Sequence, residues 1–143
     1  MTIQFRGKKK GRGEWVLGSL ISGHEGEKCE ILRLEHREGE PANVRHIIVE
    51  EVDPETVGQF IGLRDMNHAE AFVGDIVRDR DGKLFTIYMA PGGFGICRNT
   101  KMRELDFQTF TPLGDLQSSS WFMKNAEIVG NIFDNPELAG GER

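Results

Sequence analysis

The chain has 143 residues, 38% of them hydrophobic and 29% charged, with a formal net charge of −5, the profile of a soluble globular protein long enough to bury one real core. No apolar run approaches the roughly 18 residues of a membrane span, and Met1-Thr2-Ile3-Gln4-Phe5-Arg6 lacks the apolar centre of a signal peptide. With the widely separated Cys29 and Cys97 read as reduced thiols, the expected compartment is the cytoplasm and no membrane partner is expected.

In chain order, Thr2-Ile3-Gln4-Phe5 alternates polar and apolar, and Glu14 to Ile21 resumes an apolar run. Between them, Gly7-Lys8-Lys9-Lys10-Gly11-Arg12-Gly13 is all charge and glycine, which predicts a hairpin with a long, solvated tip. Cys29 to Leu34 and Val44 to Val49 read as two further strands. Asp53-Pro54-Glu55-Thr56 has a capping residue followed by proline, a helix start. Gly58 and Gly62 arrive too soon for more than a short turn. Ala71 to Asp79 and Lys83 to Met89 predict a strand pair joined at Asp81-Gly82, and Pro91-Gly92-Gly93 turns the chain into Phe94 to Cys97. Thr111-Pro112 is expected to cap a single helical turn through Leu116, with Ser118-Ser119-Ser120 an exposed connection. In the last strand Ile128 and Ile132 should point one way and Val129 and Phe133 the other. That block should be structural through Phe133, while residues after Leu138 should fray. Nothing sustains a helical period, so the predicted class is all-β, with no helix beyond about two turns.

Two segments carry a family resemblance. They are Asp53-Pro54-Glu55-Thr56-Val57-Gly58-Gln59-Phe60, followed by Gly62-Leu63-Arg64-Asp65, and the C-terminal block Glu127 to Leu138, which includes Gly130, Asn131 and Pro136. Phe5-Arg6 with Trp15-Val16-Leu17-Gly18, and Gly74-Asp75-Ile76-Val77, fall in the same order. Together they resemble the YopX-like phage proteins, which are small, all-β and without an assigned molecular function. The resemblance implies a phage or prophage origin and a bacterial host. It also implies a small barrel of Src-homology-3 type in the C-terminal half, residues 53–143, with the N-terminal hairpin and strands, residues 1–52, packed against it as one compact unit. The family usually turns with Asp-Lys-Asn-Gly where this chain has Asp65-Met66-Asn67-His68. Asn67 is therefore expected in the left-handed position, since histidine has no glycine-like freedom there.

Gly58, Gly62, Gly74 and Gly130 interrupt β-forming runs and mark bulges or sharp bends. His24, Cys29, His36, His46 and His68 have no short zinc-site spacing, and neither a phosphate loop nor a nucleophile motif is present. No cofactor, no metal and no catalytic residue is nominated, so the chain is not expected to be an enzyme. The charge is asymmetric: residues 1–12 carry +5 and the remainder −10. Lys8, Lys9, Lys10 and Arg12, with Trp15 beside them, are thus the candidate phosphate contact. Two readings lead, with an enzyme of unrecognised site as a third and weaker one. One is a non-catalytic binding module with an unknown phage or host protein partner, compatible with self-association. The other is a nucleic-acid accessory protein binding weakly through the basic tip.

Overall fold

The computed structural model describes residues 3–11, 13–22, 28–99 and 105–139. The chain divides into two compact units, Met1–Gln59 and Phe60–Arg143. In the first, β1 (Phe5–Lys8), β2 (Trp15–Ser22), β3 (Cys29–Glu35) and β4 (His46–Glu51) form an antiparallel meander. A 3-10 turn, Pro54–Thr56, then leads into β5 (Gly58–Arg64), whose Gly58 and Gln59 pair with the free edge of β1. Alternation places Val16, Leu20 and Ile31 on one face, where they meet Val52, Cys29 and Val57. An isolated bridge between Lys9 and Val52 brings the end of β4 back to the end of β1.

The second unit is built on β7 (Asp75–Arg78), β8 (Leu84–Ala90), β9 (Gly93–Asn99), β10 (Leu105–Pro112) and β11 (Glu127–Asn131), in the order β10-β9-β8-β7-β11. The rest of β5 pairs with β6 (Glu70–Phe72) across a register shift that contains Gly62. All pairings are antiparallel, and neither sheet is closed, so the all-β class holds but the implied small barrel is not seen. Strands β10 and β11 end the sheet as opposite edges. The connection between them is a helix, α1 (Leu116–Asn125). Its Phe122 is fully buried in the core, among Ile61, Ala71, Val77, Ile87, Ile96 and Leu113. Burying such a side chain contributes about 1.5–3 kcal/mol.

This helix departs from the expected single turn and exposed serine connection. Ten residues make about 2.8 turns at 3.6 residues each. Asp115 accepts the Ser118 backbone N–H at 2.8 Å, and that bond holds its carboxyl below the ordinary 3.8. The Ser119 hydroxyl donates to the Asp115 carbonyl at 2.9 Å, and Arg80 donates to the Lys124 carbonyl at the other end, also at 2.9 Å. Capping at both ends and one buried aromatic outweigh the poor helix propensity of three serines. Strand β10 was not anticipated either.

The Ala71–Asp79 run breaks at Val73-Gly74 because Gly74 takes φ 97°, a conformation that side chains resist. There Gly74 donates to the Ile87 carbonyl at 3.0 Å and accepts from Ile132 at 2.9 Å. The Asp75 carboxylate closes the bend by accepting the Phe72 N–H at 2.8 Å. The expected turn between β7 and β8 is present, with Asp79 accepting the Asp81 and Lys83 N–H groups, each at 2.9 Å. In β11 the simple alternation fails. The register shifts between Ile128 and Gly130, and Ile132 and Phe133 lie in the following turn.

The Asp65–Ala69 turn corrects a further expectation. His68, not Asn67, is left-handed, at φ 68°, so histidine occupies the place where the family pattern has glycine. The turn is imposed by Asp65, which is only 3% exposed. One carboxylate oxygen accepts the N–H groups of Asn67 and Ala69, both at 2.9 Å, and the other accepts that of Ile128 at 2.8 Å.

Two substitutions separate these effects. His68→Gly should stabilise the protein by about 0.5–1 kcal/mol, because relief of the left-handed cost exceeds the added unfolded-chain entropy. Asp65→Ala should destabilise it by about 3 kcal/mol, since it leaves three backbone donors without their acceptor. Urea unfolding midpoints at unchanged slope will show opposite displacements for the two variants.

Candidate contact surfaces

The basic tip is a clasp more than a projecting arm. The ladder between β1 and β2 runs to Lys8 opposite Trp15 and is continued by Lys9 N–H donating to the Glu14 carbonyl at 2.7 Å. The Lys9 ammonium, its side chain 22% exposed, lies 3.1 Å from Glu14 and 3.3 Å from Glu50. Lys10 reaches Glu51 at 3.0 Å, and its backbone N–H donates to the Glu51 carbonyl at 3.0 Å. The Arg6 guanidinium sits 4.6 Å from the Trp15 ring centre and the Lys8 ammonium 5.5 Å from it, within the range of cation–π attraction. The Lys8 backbone donates to Thr56 Oγ1 at 2.9 Å, and Thr56 Oγ1 donates to the Asp53 carbonyl at 2.7 Å. Arg12 lies outside the described residues. Hydrogen bonds to Glu14 and then Glu50 raise the Lys9 pKa above 10.5, and the Glu51 bond does the same for Lys10. Of the candidate contact, Lys8, Lys9, Lys10 and Trp15 are brought together, but Lys9 and Lys10 are already engaged by carboxylates.

The remaining singled-out residues build backbone. Pro54 opens the 3-10 turn, and Gly58 starts β5 in a buried position. A β-carbon on Gly130 would fall 2.7 Å from Asn135 Cγ. The Asn131 side-chain oxygen accepts from Phe133 at 3.0 Å and Asp134 at 2.8 Å. Its backbone exchanges bonds with Asn135, donating to Oδ1 at 3.2 Å and accepting the N–H at 2.9 Å. Pro136 then begins the short helix α2 (Pro136–Ala139). A buried polar chain ties down this end: Thr86 donates to Asn99 at 2.7 Å, and Asn99 donates to the Leu138 carbonyl at 2.9 Å.

Sequence reasoning missed the outer face of the N-terminal sheet. Leu17 and Ile21 on β2, Leu34 on β3, and Ile47 and Val49 on β4 are 44%, 41%, 62%, 67% and 44% exposed. They alternate with the buried Val16 and Ile31 and the half-buried Leu20, and the register sets Ile47 opposite Leu34 and Val49 opposite Leu32. The signal was available: Val16-Leu17, Leu20-Ile21, Ile31-Leu32 and Ile47-Ile48-Val49 are apolar at both parities, which makes both faces of a strand apolar. In the second unit, a groove of about 170 Å³ lies among Pro91, Phe94, Phe110 and Pro112. Another of about 220 Å³ lies between β10 and α1 beside Trp121. Both are below the roughly 300 Å³ at which small-molecule sites begin. Among the described residues no three His, Cys, Asp or Glu side chains converge to hold a metal ion, and no helix is long and apolar enough to cross a membrane.

These features define a small all-β protein of two open antiparallel sheets whose glycine, asparagine and aspartate positions serve its turns. The chain belongs to the YopX protein family, whose model matches residues 4–139. Among solved structures it is similar to protein EF1440 from Enterococcus faecalis, with a TM-score of 0.56 and 20% identity over 97% of this chain and 99% of that one. That likeness concerns the fold alone. No curated protein matches the chain.

Because the Lys9 and Lys10 pKa values are raised, their stabilising contribution is complete below 10.5 and is lost only as pH climbs through the raised values. Changing Lys8, Lys9 and Lys10 together to serine should therefore lower the melting temperature at neutral pH. The gap from the parent should shrink in about 1 M salt, and again above the raised lysine values. Thermal melts across salt and pH check this; a gap that persists under both conditions would show that the clasp is not electrostatic.

Proposed function

We propose that this YopX-family protein is a non-catalytic binding module, encoded by a phage or prophage and working in the cytoplasm of its bacterial host. Its contact surface is the outer face of the N-terminal sheet. The observation that carries this reading is the cluster Leu17, Ile21, Leu34, Ile47 and Val49, all between 41% and 67% exposed on three adjacent strands. Contiguous exposed apolar surface of this kind marks interaction sites, and each Å² covered is worth about 25 cal/mol. Nucleic-acid binding through the basic tip is the weaker alternative, because a phosphate would have to displace Glu14, Glu50 and Glu51 from Lys9 and Lys10.

A photo-crosslinking residue at Ile47 should give a discrete adduct in cells, and one at Glu55, exposed on the 3-10 turn, should give none. Equal labelling at both positions, or no discrete adduct at Ile47, would overturn the assignment.

A further inference from the structure

We infer that the outer edge of β4 takes an extended segment of another protein as an added antiparallel strand. The inference rests on reading the N-terminal sheet as the contact surface and adds the form in which a partner meets it. Among the described residues the two sheets end in four strands, β4, β6, β10 and β11. Proteins blunt such edges by shortness, register breaks or proline, because unpaired backbone groups there recruit other strands. Strand β6 has three residues. Strand β10 has a register shift and carries Pro112, and the register of β11 shifts between Ile128 and Gly130. Strand β4 has none of these devices: His46 to Glu51 pair with β3 in unbroken register.

The ladder fixes which backbone groups of this edge are open. Val52 N–H donates to the Cys29 carbonyl at 3.0 Å, and opposed residues of an antiparallel pair alternate between bonded and unbonded. Glu50, Ile48 and His46 are therefore the residues bonded to β3, while Ile47 and Val49 turn their N–H and C=O groups outward. Glu51 shares that parity, and its carbonyl accepts the Lys10 N–H on the outer side at 3.0 Å. The same Ile47 and Val49 are 67% and 44% exposed, so outward donors and acceptors stand beside β-branched side chains. The Lys10 bond closes this edge at one end, which leaves about five residues, or roughly 17 Å, open. In the register that sets Ile47 against Val49, a second copy of β4 would bring its Arg45 opposite Glu51, the place Lys10 fills. The occupant is thus a short segment of a different chain. Its chemistry follows from the edge: β-branched residues at alternate positions lie beside Ile47 and Val49, and their own amides make the bonds, so none of them is proline.

Amide NMR of the full chain tests this, with the peptide acetyl-Lys-Val-Thr-Val-Thr-Val-Lys-amide added to about 2 mM, a range that reads weak binding. The Ile47 and Val49 amides should shift and their hydrogen exchange should slow. N-methylation of the peptide's valine amides should weaken binding about tenfold, because those amides bond the edge. N-methylation of its threonine amides, which point away, should leave binding as it was. Val49→Pro should keep the parent's melt, since proline is tolerated where the N–H faces outward from an edge, and should lose binding. If that variant fails to fold, the two methylated peptides decide. No shift at the two amides by about 2 mM, equal binding of both methylated peptides, or undiminished binding by a folded Val49→Pro would each overturn the inference. A discrete adduct at Ile47 in cells that survives Val49→Pro would remove strand addition while leaving the contact face standing.

Discussion

One buried carboxylate organises the second unit. Asp65 accepts three backbone N–H groups, two from its own turn and one from Ile128 at the start of β11. Alongside it, Met66 N–H donates to the Ala126 carbonyl at 2.9 Å. These bonds fix together the turn between β5 and β6, the end of α1 and the beginning of β11. The geometry is demanding enough that the turn holds a histidine at φ 68°, a strain that persists only when the surroundings over-determine it. With β11 so placed, Ile132 can reach Gly74, and Asn131 can organise the turn into α2.

The residues that mark the family serve this architecture. Asp75 closes the bend after Phe72, Gly130 leaves space for the Asn135 amide, and Asn131 satisfies the N–H groups of Phe133 and Asp134. Buried polar groups cost free energy unless bonded, so a motif rich in Asp, Asn and Gly can be set by backbone satisfaction alone. Family membership thus speaks first to how the chain turns.

Much of this was legible. Strands β3, β4, β8 and β9, the 3-10 turn at Pro54 and the turn at Gly82 all follow from local chemistry, because β-branched runs and Pro, Gly and Asp punctuation act within a few residues. What stayed hidden depends on distant partners. The helix α1 looked like a loop because its Ser118-Ser119-Ser120 run is locally unfavourable, while its anchor, Phe122, is defined only by a core drawn from residues far along the chain. The left-handed residue was misplaced by one position because two acceptor bonds to Asp65 oxygen, not the preference of Asn67, decide the turn. The lysines looked solvated because Glu50 and Glu51 lie some forty positions away in sequence. The outer face was readable in principle, yet apolar residues at adjacent positions were counted as evidence for strands and not asked which face each would take.

The two units also differ in how much core they possess. The second buries eight hydrophobic residues in one cluster, whereas the first buries Val16, Ile31 and Val52, with Leu20, Cys29 and Val57 packed around them. A sheet with so small an inner core relies on other ties: the Lys9 bridge to Val52, the carboxylates on Lys9 and Lys10, and the cations over Trp15. Its outer face holds as many large apolar side chains as its interior does. A partner on that face would add burial to the unit with least of its own, and one that binds only the folded form would stabilise it by mass action. Under the proposed binding role, occupancy of the face and integrity of the N-terminal sheet would be linked quantities, because the exposed apolar surface is the one that a partner would use to complete the unit's core.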